Sequence, residues 1–160
     1  MKPLVVGISE FLMARRPERM VTYGLGSCVA IVLYAREQGL GAMAHVMLPL
    51  AYSEQDHAVP AKFADTAVST MVDQMEQQGV NAADLVAKIA GGADMFAGQF
   101  KGKSRRIGAR NVMSARKTLD NFGIRLLAQD VGGTAGRTVE FDTDTGLLTV
   151  RTLRGGVKQL

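Results

Sequence analysis

Cys28-Val29-Ala30-Ile31-Val32-Leu33-Tyr34-Ala35 is apolar at every position. A continuous run of that length, rich in valine and isoleucine, predicts a strand buried on both faces. Arg36 to Gly39 is polar and ends in glycine, a turn signal. Leu40 to Leu48 then reads as a second strand, stopped by Pro49, and a hairpin joins the two. Upstream, Met20 to Leu25 alternates weakly before a Gly24-Leu25-Gly26 turn, and Leu4 to Ile8 is a short strand candidate. The charged stretch Arg15-Arg16-Pro17-Glu18-Arg19 between them reads as a loop.

Downstream, residues 50 to 60 form a polar loop closed by Pro60. Phe63, Ala64, Ala67, Val68, Met71, Val72 and Met75 then recur at three- and four-residue steps, which predicts a helix ended by Gly79. Leu85 to Ala90 is another strand candidate running into Gly91-Gly92. A second helix fits Ala109 to Phe122, with Val112, Ala115, Leu119 and Phe122 inward and Gly123 as its stop. The last third reads as strands at Ile124 to Val131, Arg137 to Asp142 and Leu147 to Leu153. Gly132-Gly133 and Asp144-Thr145-Gly146 mark the turns between them. Strands outnumber helices and most neighbours lack a helix between them. The expected class is therefore α+β, with largely antiparallel sheet layers packed with two main helices, in one domain over residues 1–160.

Composition narrows the function classes. The chain has 160 residues, 47% hydrophobic and 21% charged, an ordinary globular balance without repeats or low-complexity segments. One cysteine excludes an internal disulfide framework and a Cys-based zinc site, and two histidines leave little material for any metal centre. No apolar run approaches the roughly 20 residues that span a bilayer, and the N-terminus makes a poor signal peptide. A cytoplasmic protein without membrane insertion is the expectation. Gly102-Lys103-Ser104 imitates the end of a phosphate-binding loop, but the required first glycine is replaced by Ala97. Gly132-Gly133-Thr134-Ala135-Gly136 likewise misses the dinucleotide spacing.

The net charge of +4 is unevenly spread. Residues 1 to 100 carry seven basic and ten acidic groups, and residues 126 to 160 carry four of each. Residues 101 to 125 hold Lys101, Lys103, Arg105, Arg106, Arg110, Arg116, Lys117 and Arg125 against Asp120 alone, a local charge of +7. This segment reads either as a solvated helix face or as a patch around Arg105 and Arg106 that steers an acidic partner. Nucleic acid fits poorly, because no aromatic stacking platform is interleaved with the cations.

A lone cysteine is commonly a small buried hydrophobe. Cys28 stands apart because it follows Gly24-Leu25-Gly26-Ser27, at the first position of the strand, where small residues let a substrate approach the sulfur. Backbone N–H groups around Gly26, Ser27 and Cys28 are candidate oxyanion donors. A nucleophilic thiol needs a base, and His45 lies seventeen residues on, in the predicted partner strand. An even hairpin loop sets Cys28 opposite residue 45 or 47, on the same face as His45, whereas an odd loop separates the two. Thr22 could orient the imidazole through its hydroxyl or its carbonyl. The alternatives are a satisfied core histidine, a solvent-facing threonine and a redox-sensing thiol.

Thr22, Gly24-Leu25-Gly26-Ser27-Cys28-Val29 and His45-Val46-Met47-Leu48-Pro49 closely resemble the CheD family of chemoreceptor glutamine deamidases. The likeness continues through Gly91-Gly92-Ala93-Asp94-Met95-Phe96, Ile107-Gly108-Ala109-Arg110-Asn111, and Gly132-Gly133-Thr134-Ala135-Gly136-Arg137 with Asp144-Thr145-Gly146. In that family a threonine, a cysteine six residues later and a histidine seventeen further on form the catalytic set, intervals that this sequence reproduces at Thr22, Cys28 and His45. The resemblance implies an α/β sandwich related to cysteine-dependent deamidating toxins. It also implies hydrolysis of glutamines on methyl-accepting chemotaxis receptors to glutamate, without metal or organic cofactor. In some members it implies binding to a CheC-type phosphatase. The alternative is a non-catalytic module that binds receptors or such a phosphatase.

Overall fold

The run from Val29 to Ala35 is a strand with all seven residues buried, and Leu40–Val46 beside it is buried throughout as well. The computed structural model describes residues 1–96 and 106–160, and shows why these two strands lack a polar face. In chain order the elements are β1 (Leu4–Val5), β2 (Phe11–Arg15), β3 (Arg19–Leu25), β4 (Val29–Ala35), β5 (Leu40–Val46), α1 (Glu54–His57), α2 (Ala64–Gln77), β6 (Val86–Gly91), α3 (Ile107–Asn121), β7 (Arg125–Val131), β8 (Arg137–Asp142), β9 (Leu148–Thr152) and β10 (Gly156–Gln159). Among the described residues the strands form two five-stranded sheets, a central one ordered β2-β5-β4-β6-β7 and an outer one ordered β1-β3-β8-β9-β10.

Each face of the central sheet has its own partner. Val29, Ile31 and Leu33 of β4 and Ala42, Ala44 and Val46 of β5 pack on Val68, Met71 and Met75 of α2 and on Val112, Ala115 and Leu119 of α3. The alternate residues, Ala30, Val32, Tyr34 and Met43, meet Met20, Leu25, Val139, Phe141 and Val150 of the outer sheet. Tyr34 and Phe141 touch edge to face, with ring centroids 5.1 Å apart. Helices, central sheet and outer sheet thus make three layers, and burial of each large aliphatic side chain contributes about 1.5–3 kcal/mol before entropy is counted. The pairing is antiparallel except at β1–β3 and β6–β7, so the expected α+β class with largely antiparallel sheets is observed.

The hairpin closes at Ala35↔Leu40, which leaves the four residues Arg36 to Gly39 as its loop and runs the ladder to Ala30↔His45 and Val29↔Val46. β3 belongs to the other sheet. Its pairing with β8 steps from Thr22↔Val139 to Leu25↔Arg137, one extra residue on β3, and Gly24 takes the left-handed φ of 68° that this bulge needs. The chain then crosses between sheets through Gly26-Ser27-Cys28.

Four expectations change. The first strand is only Leu4–Val5, because the chain turns at Ile8-Ser9, where Ser9 has a left-handed φ of 62°. The supposed loop at Arg15 to Arg19 is a tight turn joining two strands, and β2 was not expected because only Ala14 of its five residues is fully buried at the sheet edge. Phe122 is exposed beyond the end of α3, where the helical stripe no longer faces the sheet. All four residues of β10 are exposed, so it has no apolar pattern to read.

Candidate active site

The alternation along β4 and β5 decides what faces what. Ala30 points at the outer sheet, so Cys28, two residues earlier, is on that same face, and it packs half-buried against the outer-sheet core. His45 lies opposite Ala30 and is fully buried. Cys28 and His45 are therefore diagonal cross-strand neighbours, roughly 7–8 Å apart at Cα in regular sheet. The even loop holds, and the ladder extended by one residue sets Cys28 opposite Met47.

Thr22 approaches from the outer sheet. Its buried hydroxyl donates to the Val6 carbonyl at 2.7 Å and stands 2.7 Å from Nδ1 of His45. A hydroxyl has one proton, and the Val6 carbonyl can only accept. The proton therefore goes to Val6, Thr22 Oγ1 accepts from Nδ1–H of His45, and Nε2 keeps the lone pair. Nε2 is buried and has no partner among the described residues. Burial pushes the His45 pKa down, favouring the neutral ring. Burial also pushes the Cys28 thiol up, and its own backbone N–H partly counters this. Both shifts favour the uncharged forms, thiol and neutral imidazole.

The approach to the sulfur is built from close backbone contacts. Gly92 N–H donates to the Cys28 carbonyl at 2.8 Å and Ala93 N–H to the Gly26 carbonyl at 2.9 Å. A Cβ on Gly91 would lie 2.3 Å from the Cys28 oxygen, so only glycine fits. Met95 covers Gly26, where a Cβ would come to 3.1 Å of Met95 Cγ. The Gly26 N–H is used on the Gly24 carbonyl at 3.1 Å, whereas the N–H groups of Ser27 and Cys28 have no backbone acceptor among the described residues. Gly26 is thus a spacer, and two of the expected oxyanion donors are left.

The profile of the family described as CheD chemotactic sensory transduction matches residues 47–152. A Thermotoga maritima protein named chemoreceptor glutamine deamidase CheD is 47% identical over 95% of this chain and 93% of its own. A Geobacter metallireducens protein named probable chemoreceptor glutamine deamidase CheD 2 is 47% identical, covering 99% of both chains. A Clostridium kluyveri protein named probable chemoreceptor glutamine deamidase CheD is 42% identical over 99% of this chain and 98% of its own. The chain belongs to the CheD family.

In this CheD chain two further contributors were not singled out from the sequence, although Asn111 ends the Ile107-Gly108-Ala109-Arg110-Asn111 motif. Val6 supplies the carbonyl that fixes the Thr22 proton, and a backbone group leaves no mark in a sequence. Asn111, fully buried on α3, donates to the Ser27 carbonyl at 2.9 Å and to the Met47 carbonyl at 3.0 Å. Its readable signal is a polar residue four positions before Ala115 and eight before Leu119, on the apolar stripe of the helix.

Arg106 is exposed at the N-cap of α3, at the same end of the helix as Asn111, while Arg105, Lys101, Lys103 and the Gly102-Lys103-Ser104 imitation lie outside the described residues. Arg110, Lys117 and Arg125 are exposed, and Arg116 is exposed with its guanidinium on Gln129. A groove of about 760 Å³ between α2 and α3, lined by Asp65, Arg110, Met113, Lys117 and Phe122 among others, includes neither Cys28 nor His45. Among the described residues no group of three or more His, Cys, Asp or Glu could hold a metal ion, and no helix is long and apolar enough to cross a membrane.

Proposed function

We propose that this protein deamidates glutamine side chains of methyl-accepting chemotaxis receptors, with Cys28 as nucleophile, His45 as acid and base, and Thr22 holding the imidazole. One observation carries the assignment of roles: the hydroxyl of Thr22 lies between the Val6 carbonyl and His45 Nδ1, so the free lone pair of Nε2 is left for the thiol.

His45 Nε2 takes the Cys28 proton as sulfur attacks the carboxamide carbon; the S–C bond forms and the C=O π pair moves onto oxygen. The N–H groups of Ser27 and Cys28 receive that charge. His45 then gives its proton to the departing nitrogen, the C–N bond breaks, ammonia leaves and a thioester remains. Water attacks the thioester as His45 takes one of its protons. The S–C bond breaks, glutamate is released and the proton returns to sulfur.

The reading also takes the chain as one domain, acting in the cytoplasm where receptor signalling helices lie. Arg105 and Arg106 contribute to receptor docking, and a CheC-type phosphatase is a further partner, tested by co-purification. Incubation with a receptor cytoplasmic fragment, followed by peptide mass spectrometry, is expected to show Gln-to-Glu conversion by the wild type and none by Cys28→Ala. Equal conversion by the two overturns the assignment. Receptor binding by the wild type without conversion supports a non-catalytic module instead.

A further inference from the structure

Asn111 does more than fill space. It is fully buried, and both of its hydrogen bonds run from Nδ2 to carbonyl oxygens, Ser27 at 2.9 Å and Met47 at 3.0 Å. Two acceptors on one group fix its orientation, because the flipped amide would set oxygen against oxygen. Its Oδ1 is buried without a partner among the described residues. An aliphatic side chain of similar volume would fill the same space but leave the Ser27 and Met47 carbonyls without this donor, so asparagine is here for its hydrogen bonds.

The two carbonyls mark the two halves of the site. Ser27 precedes the thiol, and Met47 follows His45 by two residues, just past the end of β5. The carboxamide therefore joins the start of the nucleophile's strand to the end of the base's strand, reaching both from the helical layer. The Ser27 carbonyl also shares its peptide unit with the Cys28 N–H. That unit is planar and trans, so its C=O and N–H point in opposite directions. Drawing the oxygen toward α3 turns the Cys28 N–H away from α3. No backbone group among the described residues accepts from that N–H, which leaves it free on the side away from α3.

We infer that Asn111 is a positioning residue: by holding the Ser27 and Met47 carbonyls it aims the Cys28 N–H at the charge that develops during the reaction and sets the spacing of Cys28 and His45. This deepens the deamidase reading and rests on Cys28 being its nucleophile. Asn111 acts through the Ser27–Cys28 peptide, since both of its hydrogen bonds go to backbone carbonyls.

The test compares wild type, Asn111→Ala and Ser114→Ala. Ser114 is the control, a buried residue of the same helix whose hydroxyl donates to the Pro49 carbonyl at 2.5 Å. Asn111→Ala is expected to lower kcat about 10²- to 10³-fold, the loss typical of one oxyanion donor, with KM little changed. Its rate of Cys28 alkylation by iodoacetamide is expected to require higher pH, because the thiolate loses an aligned N–H. Ser114→Ala is expected to keep the wild-type kcat and alkylation profile even where its melting temperature falls.

Asn111→Ala with wild-type kcat per folded molecule and an unmoved alkylation profile overturns the inference and leaves Asn111 a structural residue. If Asn111→Ala does not fold, the unaltered protein still decides. The clamp requires the Asn111 carboxamide protons to exchange with solvent far more slowly than those of exposed Asn121, and equally fast exchange overturns it. If the wild type converts no receptor glutamine, the deamidase reading fails, while alkylation and exchange continue to report on Asn111 alone.

Discussion

The Thr22 hydroxyl lies 2.7 Å from Nδ1 of His45 although the two residues belong to different sheets. The orientation of the imidazole therefore depends on the packing of one sheet on the other, and on the Thr22 hydroxyl proton pointing to the Val6 carbonyl. Thr22→Val keeps the shape and removes the hydroxyl, so Nδ1 loses its acceptor and the ring is free to take the other tautomer. The expected outcome is a fall in kcat of about 10²-fold or more, within the span of general acid–base contributions, with receptor affinity retained. Thr22→Ser keeps the hydroxyl and is expected to recover most of the rate. Equal rates for the Val and Ser variants, measured by receptor mass spectrometry, contradict the role.

In the proposed mechanism, burial of His45 sets the acid limit of the reaction. Its pKa is depressed, so the ring loses its lone pair only below the ordinary histidine value of 6.5. The acid limb of kcat/KM, which reports the free enzyme, is expected below that value. The same shift acts on stability. Below 6.5 the unfolded chain binds a proton at this ring that the folded chain binds only at lower pH. Stability from neutral His45 is therefore fully present above 6.5 and is lost as pH falls toward the depressed value. His45→Gln is expected to remove this component from the pH dependence of urea midpoints. An unaltered dependence shows that His45 is not the group responsible.

The backbone beside the thiol leaves no room for a methyl group. Gly91 has a left-handed φ of 118°, and a Cβ there would meet the Cys28 carbonyl oxygen at 2.3 Å. Gly91→Ala is expected to cost about 1–3 kcal/mol in strain and, by shifting Cys28, up to about 10²-fold in kcat. Gly123→Ala is the comparison, since Gly123 has φ of 67° but nothing within 4 Å of its Cβ position. It is expected to lose stability with the rate unchanged. Equal kcat losses at both positions would show that strain alone is responsible.

What could be read from the sequence followed from local periodicity. The apolar run at β4 and the polar Arg36–Gly39 break gave the hairpin but not its loop parity, which the ladder settles with Cys28 and His45 on one face. The step pattern from Ala64 to Met75 gave α2, because every inward position of that helix is apolar. Long-range polar contacts are different. Asn111 reaches Ser27 across 84 residues, and nothing near either residue announces the other. The Val6 carbonyl and the orientation of the Ser27–Cys28 peptide are backbone features, which side-chain patterns do not encode. β10 pairs with β9 by main-chain bonds while its side chains face water, so hydropathy carries no record of it.

The basic end of α3 makes the last prediction. Arg106 and Arg110 are exposed, within one helical turn of each other and at the end of α3 that carries Asn111, and the proposed docking role of this segment is tested there. Exposed charges act over roughly 30 Å at 0.01 M salt but only about 8 Å at 0.15 M. Charge reversal at both positions, Arg106→Glu with Arg110→Glu, is expected to raise KM for an acidic receptor fragment about tenfold at low salt, mainly through slower association. The difference is expected to shrink at physiological salt, and kcat is expected to stay unchanged because neither side chain meets the reacting atoms. The same reversal at Arg125, at the start of β7 and beyond the far end of α3, is the control for net charge. If the pair at the helix start has no more effect at low salt than Arg125→Glu, the receptor does not use this face, and the cations there serve only to keep α3 solvated.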